Sequence, residues 1–149
     1  MLEPQGDEIA VCGVGIFVGP NFVLSARSHS EQDLFAVRER CEREPELLRQ
    51  GSGFVAYAIM DSVADRYFPI IDAIESELED LEEHIFDKGM ARPNIERLYD
   101  IKRRKVALKH AVAPLMEAVG KLTSGRVPPV CANSQDYFRD VYDHLVRIN

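Results

Sequence analysis

At 149 residues, with 46% apolar and 29% charged side chains, the chain has the composition of a globular domain of ordinary size and is neither low-complexity nor disordered in character. Its net charge of −7 argues against a nucleic-acid surface, which needs basic side chains in surplus. Cys12, Cys41 and Cys131 are odd in number, widely spaced and in no CxxC pair, which favours a reducing compartment over a disulfide framework or a zinc knuckle.

The opening residues, Met1 to Glu8, are acidic where a secretory signal would be basic. Ile9 to Ala26 is free of charge and reaches the length of a membrane span, about 18 residues. Gly19-Pro20-Asn21 is a turn signal at its centre, so two short strands, Val11–Val18 and Phe22–Ala26, fit better as a hairpin. Ser30, with Asp33 three residues on, can cap a short amphipathic helix through Leu34, Phe35, Val37 and Cys41 to near Glu44. Pro45 suits the first turn of a further helical piece, Glu46 to Gln50, and Gly51-Ser52-Gly53 is a break with a helix start behind it.

From there the chain carries its strongest pattern. Tyr57, Met60, Ala64, Tyr67, Ile71, Ile74, Leu78, Leu81 and Ile85 alternate gaps of three and four, which predicts one long helix near 54–88 with a narrow apolar seam. A turn with Gly89 and Pro93 follows. The spacing returns at Leu98, Ile101, Lys105, Leu108, Val112, Leu115, Val119 and Leu122, predicting a second helix near 93–123 that lies antiparallel to the first over 95–122. Pro69 and Pro114 fall inside these helices, and because the pattern continues in phase on both sides each predicts a kink and not an end.

Charge supports the hairpin. The run from Glu75 to Asp87 is acidic, and Arg97, Lys102, Arg103, Arg104, Lys105 and Lys109 answer from the second helix. Folding near residue 90 sets 83 opposite 97 and 75 opposite 105. Exposed pairs are each worth only about 0–1 kcal/mol, so they select register more than they stabilise. Lys105 is the one polar seam position, and its ammonium is expected to reach Glu75, Glu77 or Glu79. Thr123-Ser124-Gly125 ends the second helix, Val127-Pro128-Pro129-Val130 reads as an extended connector, and Ser134 as the cap of a last helix from 135. Phe138, Val141, Leu145 and Ile148 continue the apolar spacing to the last residue, so the chain is expected to be a fragment whose uncovered stripe and lone strand pair promote self-association.

No Ser/His/Asp, Cys/His or phosphate-cradling glycine signature is present, and no enzyme activity is expected. Ser25 and His29 lack a third partner. His84, with Asp80 and Asp87, sits in a solvated acidic run and reads as a surface histidine. Asp140, Asp143 and His144 share one helix face, and two carboxylates can hold a hard cation through oxygen. Arg139 and Arg147 stand close enough in sequence to pair those acids instead.

Several segments resemble the cytosolic part of the CorA-type divalent-cation channels and, more distantly, the ZntB zinc transporters. They are Phe17–Ser25, Tyr57-Ala58-Ile59-Met60-Asp61-Ser62-Val63-Ala64-Asp65-Arg66-Tyr67-Phe68, Leu98-x-x-Ile101-Lys102-Arg103, Ala113-Pro114-Leu115, Val127-Pro128-Pro129 and Tyr137-Phe138-Arg139-Asp140-Val141-Tyr142-Asp143-His144. The resemblance implies a mainly α fold: a long antiparallel helical hairpin and a stalk helix, with a small β-hairpin left from an α/β domain. It implies a division into a remnant of that domain (1–50), the hairpin (51–124), and a connector with the start of the stalk (125–149). It further implies a homopentameric Mg²⁺ and Co²⁺ channel, held at the cytoplasmic face of the membrane by helices outside this sequence. The ring would be loosened, and the pore opened, by loss of Mg²⁺ from sites between subunits. Asp140 falls on the stalk carboxylate of that sensing site and Asp143 is a second acid beside it. The family's Gly-Met-Asn pore motif is not in residues 1–149. Metal affinity of the chain alone is expected to be weak and to depend on its self-association. A ZntB-like zinc transporter and a helical scaffold for protein partners are the alternatives.

Overall fold

A computed structural model describes residues 2–5, 8–28, 34–86, 91–125 and 127–148. The uncharged N-terminal stretch forms strands. β1 (Leu2–Gln5) pairs antiparallel with β2 (Glu8–Val11), Leu2 opposite Val11 and Gln5 opposite Glu8. β3 (Val14–Val18) pairs with β4 (Val23–Arg27), Val14 opposite Arg27 and Val18 opposite Val23. The expected hairpin is there as β3 and β4, but its first strand begins at Val14, because Val11 ends β2 and pairs with Leu2; the β1–β2 pair is an addition. Alternation decides the faces: Val14, Ile16 and Val18 turn to the core, whereas Phe17 and Leu24 are exposed. No described helix is long and apolar enough to cross a membrane.

Two short helices follow, α1 (Phe35–Arg43) and α2 (Pro45–Leu48), the latter with proline in its first turn as expected. α1 buries Val37 and Cys41. The proposed cap Ser30 and its partner Asp33 lie outside the described residues, as do His29 and Asp87.

The first long helix needs a correction. In place of one helix over 54–88 there are two, α3 (Ser52–Asp65) and α4 (Phe68–Glu83). Arg66 and Tyr67 keep right-handed helical dihedrals, but the Tyr67 N–H donates to the Ala64 carbonyl, three residues back, before Ile71 to Tyr67 restores the four-residue pattern. Pro69 explains the interruption: it has no N–H for the carbonyl of Asp65, and its ring crowds that group. α5 (Ala91–Thr123) runs unbroken through Pro114, in line with the expected kink in place of an end. Its 33 residues make it about 50 Å long.

The pairing of these helices also differs from the simple hairpin. α4 lies against α5, with Ile74, Leu81 and Ile101 as a small core of their own. α3 packs instead on a 3-10 turn (Pro129–Ser134) and on α6 (Gln135–Ile148), and α6 packs on α5. Leu108, Val112 and Val119 of α5 therefore share the main core with Phe138, Val141 and Leu145 of α6. Those three residues are 0% exposed, so the stripe thought to seek cover is already covered.

Close approach of α3 to the 3-10 turn depends on small residues. Gly51 takes φ 93°, which favours glycine, just ahead of α3. A Cβ on Gly53 would collide with the Val130 carbonyl oxygen, so only glycine lets the turn sit there. Ser134, expected as a helix cap, is fully buried at this contact and its hydroxyl finds no partner. Pro129 and Val130 are helical here, so the extended part of the connector is shorter than expected.

The charged register is close to the expected one. Arg97 bonds Asp80 at 2.7 Å, and Arg104 pairs with Glu77. The residue reaching an acid is thus Arg104 and not Lys105, which is exposed and pairs with none of the described residues. At the hairpin end Asn94, 4% exposed, donates its side-chain amide to the His84 carbonyl at 2.9 Å, closing the C-terminus of α4.

Candidate metal centre

The kink places chemistry. Asp61 and Asp65 lie one turn apart at the C-terminal end of α3, within an otherwise apolar run, and so on one face. α6 crosses that face and brings His144 to it. One potential ligand atom from each of Asp61, Asp65 and His144 lies within 4.8 Å of the others. The His144 Nδ1 is 3.9 Å from the Asp65 carboxylate, is buried, and has no hydrogen-bond partner. Its ring stands edge-on to Phe68 at 5.8 Å, and the Arg147 guanidinium lies over that phenyl ring, also at 5.8 Å.

Asp61 is the buried member, at 6% exposure. A carboxylate so placed must be paired. Arg40 of α1 donates to it at 2.7 Å and also to the Tyr57 hydroxyl at 3.3 Å, and Tyr57 in turn donates to the same carboxylate oxygen at 3.4 Å. The bond to Asp61 holds the Arg40 guanidinium pKa above its ordinary value. Burial pushes the Tyr57 phenol up, with the Asp61 charge adding to it. Tyr57 is fixed by a cluster of rings, with Tyr137 at 5.0 Å, Phe54 at 5.7 Å and Phe138 at 6.4 Å. Asp65 is more open. Burial and then the Asp61 charge raise its pKa, against the lowering influence of His144 and Arg40.

Two carboxylates and a buried, unpartnered imidazole nitrogen fit a divalent cation. Ligands about 2.1 Å from a shared ion stand at most about 4.2 Å apart, which a small side-chain rotation would reach from the present spacing. An open cleft of about 430 Å³, lined by Arg40, Ser62, Asp65, Arg66 and Pro69 among others, leads to Asp65 from outside.

The residues singled out from sequence behave differently. Asp140 and Asp143 are both exposed on α6, and neither joins this cluster nor forms an ion pair with a described residue. The arginines that could have neutralised them are engaged elsewhere: Arg139 with Asp136 at 3.5 Å and Arg147 over Phe68. Of the trio on that helix face, only His144 turns inward. His84 is the surface histidine it was taken for, its Nδ1 2.8 Å from the Asp80 carbonyl. Cys12, Cys41 and Cys131 are buried, and none of them is part of a disulfide.

A family model described as CorA-like Mg²⁺ transporter protein matches residues 2–149. The chain belongs to that family. Among curated CorA-like relatives, YfjQ of Bacillus subtilis, named as a metal ion transporter, is 29% identical over 142 residues, which is 91% of this chain and 42% of that one. The cobalt/magnesium transport protein CorA of Thermotoga maritima is 28% identical, covering 91% of this chain and 38% of the relative. The protein of the same name from Methanocaldococcus jannaschii is 21% identical, with 91% and 43% covered. The chain thus spans about two fifths of the length of the CorA-like relatives it matches. These relatives are named as transporters, not enzymes.

Asp61 and Asp65 were not singled out in sequence, although a signal was present. Two aspartates one turn apart, with Ile59, Met60, Val63 and Ala64 around them, interrupt an apolar helix and demand partners. What sequence could not supply was the partner, because His144 and Arg40 come from helices far away in the chain.

Proposed function

We propose that this chain is the cytosolic regulatory part of a Mg²⁺ and Co²⁺ channel, which senses the ion through carboxylates at contacts between subunits. The observation that carries the reading is the arrangement on α6. His144 turns inward to a partly buried acidic cluster, while Asp140 and Asp143 beside it are exposed to solvent, where a neighbouring subunit could meet them. Mg²⁺ keeps much of its water and binds through one or two carboxylates at a time, so a site between subunits draws acids from both. In the assembled ring, carboxylates that repel without the ion are bridged when it is present, which couples ion binding to closure. Residues 1–50 are then the remnant of a larger α/β domain, 51–124 the helical hairpin and 125–149 the connector and stalk. Homopentamer formation and placement at the cytoplasmic face of the membrane belong to the same proposal.

The cluster at Asp61, Asp65 and His144 includes a nitrogen donor, which suits Co²⁺ or Zn²⁺ better than Mg²⁺. That favours a second ion species at this point and keeps a ZntB-like zinc role as the other reading. Trypsin protection of the full-length protein against Mg²⁺ concentration tests the sensor. Asp140→Asn should move the protection midpoint to higher Mg²⁺ with little change in fold, and a curve that stays in place removes Asp140 from the sensor. Protection by Zn²⁺ and not by Mg²⁺ would favour the zinc role.

A further inference from the structure

The charges around Asp61 do not balance for a bound ion as they stand. Asp61 and Asp65 bring two negative charges, and Arg40 already supplies one positive charge in direct contact with Asp61. A divalent cation entering beside Arg40 leaves the cluster with a net positive charge in a partly buried place. The same cation entering with Arg40 gone leaves it neutral, and the Asp61 oxygen now used by both Arg40 and Tyr57 becomes available. Arg40 has somewhere to go, because it lines the open cleft beside Ser62 and Pro69. It is also half-exposed, with 39% of its side chain accessible against 9% for Asp61, so it can regain water when it leaves.

We propose that Arg40 is a tethered counter-cation of the Asp61–Asp65–His144 centre, which a divalent ion displaces, so that ion binding weakens the hold of α3 on α1. The inference rests on the reading of that cluster as a metal centre. In the ion-free chain Arg40 neutralises Asp61 and ties α1 to α3, beside the buried contacts of Val37 and Cys41. With the ion present, the ion neutralises both aspartates, and α1 keeps its apolar contacts alone. Arg40 thereby sets the concentration at which the centre fills, and α1 is the element that reports filling.

The test titrates the 149-residue chain with Co²⁺, following its visible absorption, in wild type, Arg40→Met, Arg40→Lys and Asp65→Asn forms, with circular dichroism as the check on folding. Arg40→Met keeps the apolar stem and loses the charge, and is expected to bind at least about tenfold more tightly. Arg40→Lys keeps the charge and should stay within about threefold of wild type. Asp65→Asn should abolish the signal in both the wild-type and Arg40→Met backgrounds. Amide exchange over residues 35–43 should speed up when Co²⁺ saturates the wild type, and should be fast and insensitive to Co²⁺ in Arg40→Met. Arg40→Gln takes the place of Arg40→Met if the latter fails to fold. Binding that depends on Asp65 but is unchanged or weaker in Arg40→Met overturns the role of Arg40 and leaves the centre standing. Absence of Asp65-dependent binding in both backgrounds overturns the centre, and the inference with it. Exchange over 35–43 that ignores Co²⁺ in the wild type overturns the release of α1.

Discussion

The two ends of the long helices are built differently. Towards the hairpin tip, α4 and α5 are a bare pair, with Ile74, Leu81 and Ile101 as a small apolar core and charged contacts such as Arg97–Asp80 along the edge. Towards the other end the pair opens, and α6 fills the gap between α3 and α5, closed over by the 3-10 turn and by β3 and β4. The first end is held by register and charge, the second by volume. It is the second that can shelter an ionised carboxylate, because only there do enough elements meet to exclude water from Asp61 while still supplying Arg40 and Tyr57 to it.

The largest effect that would test this contrast is removal of a ring from the filled end. Phe138→Ala should cost about 3–5 kcal/mol in urea unfolding, because a fully buried residue held by three elements leaves a cavity that cannot collapse. Leu81→Ala, in the two-helix end, should fall near the lower limit of about 2 kcal/mol, since two helices can close together over the loss. Equal costs would mean that the ends do not differ in packing.

Next is the contact that seals the filled end. Gly53→Ala should destabilise by about 1–3 kcal/mol, as the new methyl group forces the 3-10 turn away from α3. Gly51 offers a control of another kind, because a side chain there meets open space and suffers only from the positive φ. A neutral Gly53→Ala would show that the turn can shift freely.

The junction between the two ends carries a pH signature. Tyr67 is 1% exposed, and burial pushes its phenol up to about 12. The unfolded chain ionises this group near pH 10 while the folded chain keeps the proton, so the unfolded state binds fewer protons between those values. Stability should therefore fall as pH rises from about 10 to about 12, by no more than about 2 kcal/mol from this group. Tyr67→Phe should flatten the loss over that range, and an unchanged profile would assign the alkaline loss to other groups.

The smallest effect is expected on the bare pair's outer surface. Lys105→Leu should change stability by less than about 0.5 kcal/mol, because Lys105 is exposed and unpaired among the described residues. A clear loss would mean that it does reach an acid of α4 in solution.

Much of this molecule could be read from residue spacing. The three-and-four alternation marked both arms, Pro114 was rightly placed inside a continuing helix although Pro69 was not, and the opposed runs of charge fixed a register within a turn of Arg97–Asp80 and Arg104–Glu77. Turn residues separated β3 from β4. These features are local, or follow from one fold of the chain at a short loop, so periodicity and charge suffice to specify them. The segments that resemble the CorA-type channels likewise pointed to the family that the comparison then showed.

Tertiary structure decided what covers each apolar stripe. An amphipathic pattern states that a face will be buried and is silent on its partner, so α3 could be assigned to α5 when it packs on α6. The same silence concealed the centre. Asp61, Asp65, His144 and Arg40 belong to three helices, and only the crossing of α6 over the kinked end of α3, with α1 alongside, brings an imidazole and a guanidinium to two carboxylates. The sequence by itself determined which residues could not be left in water or left unpaired. Which groups met them was settled by close packing among elements distant in the chain, where one helix filling a gap fixes every neighbour at once.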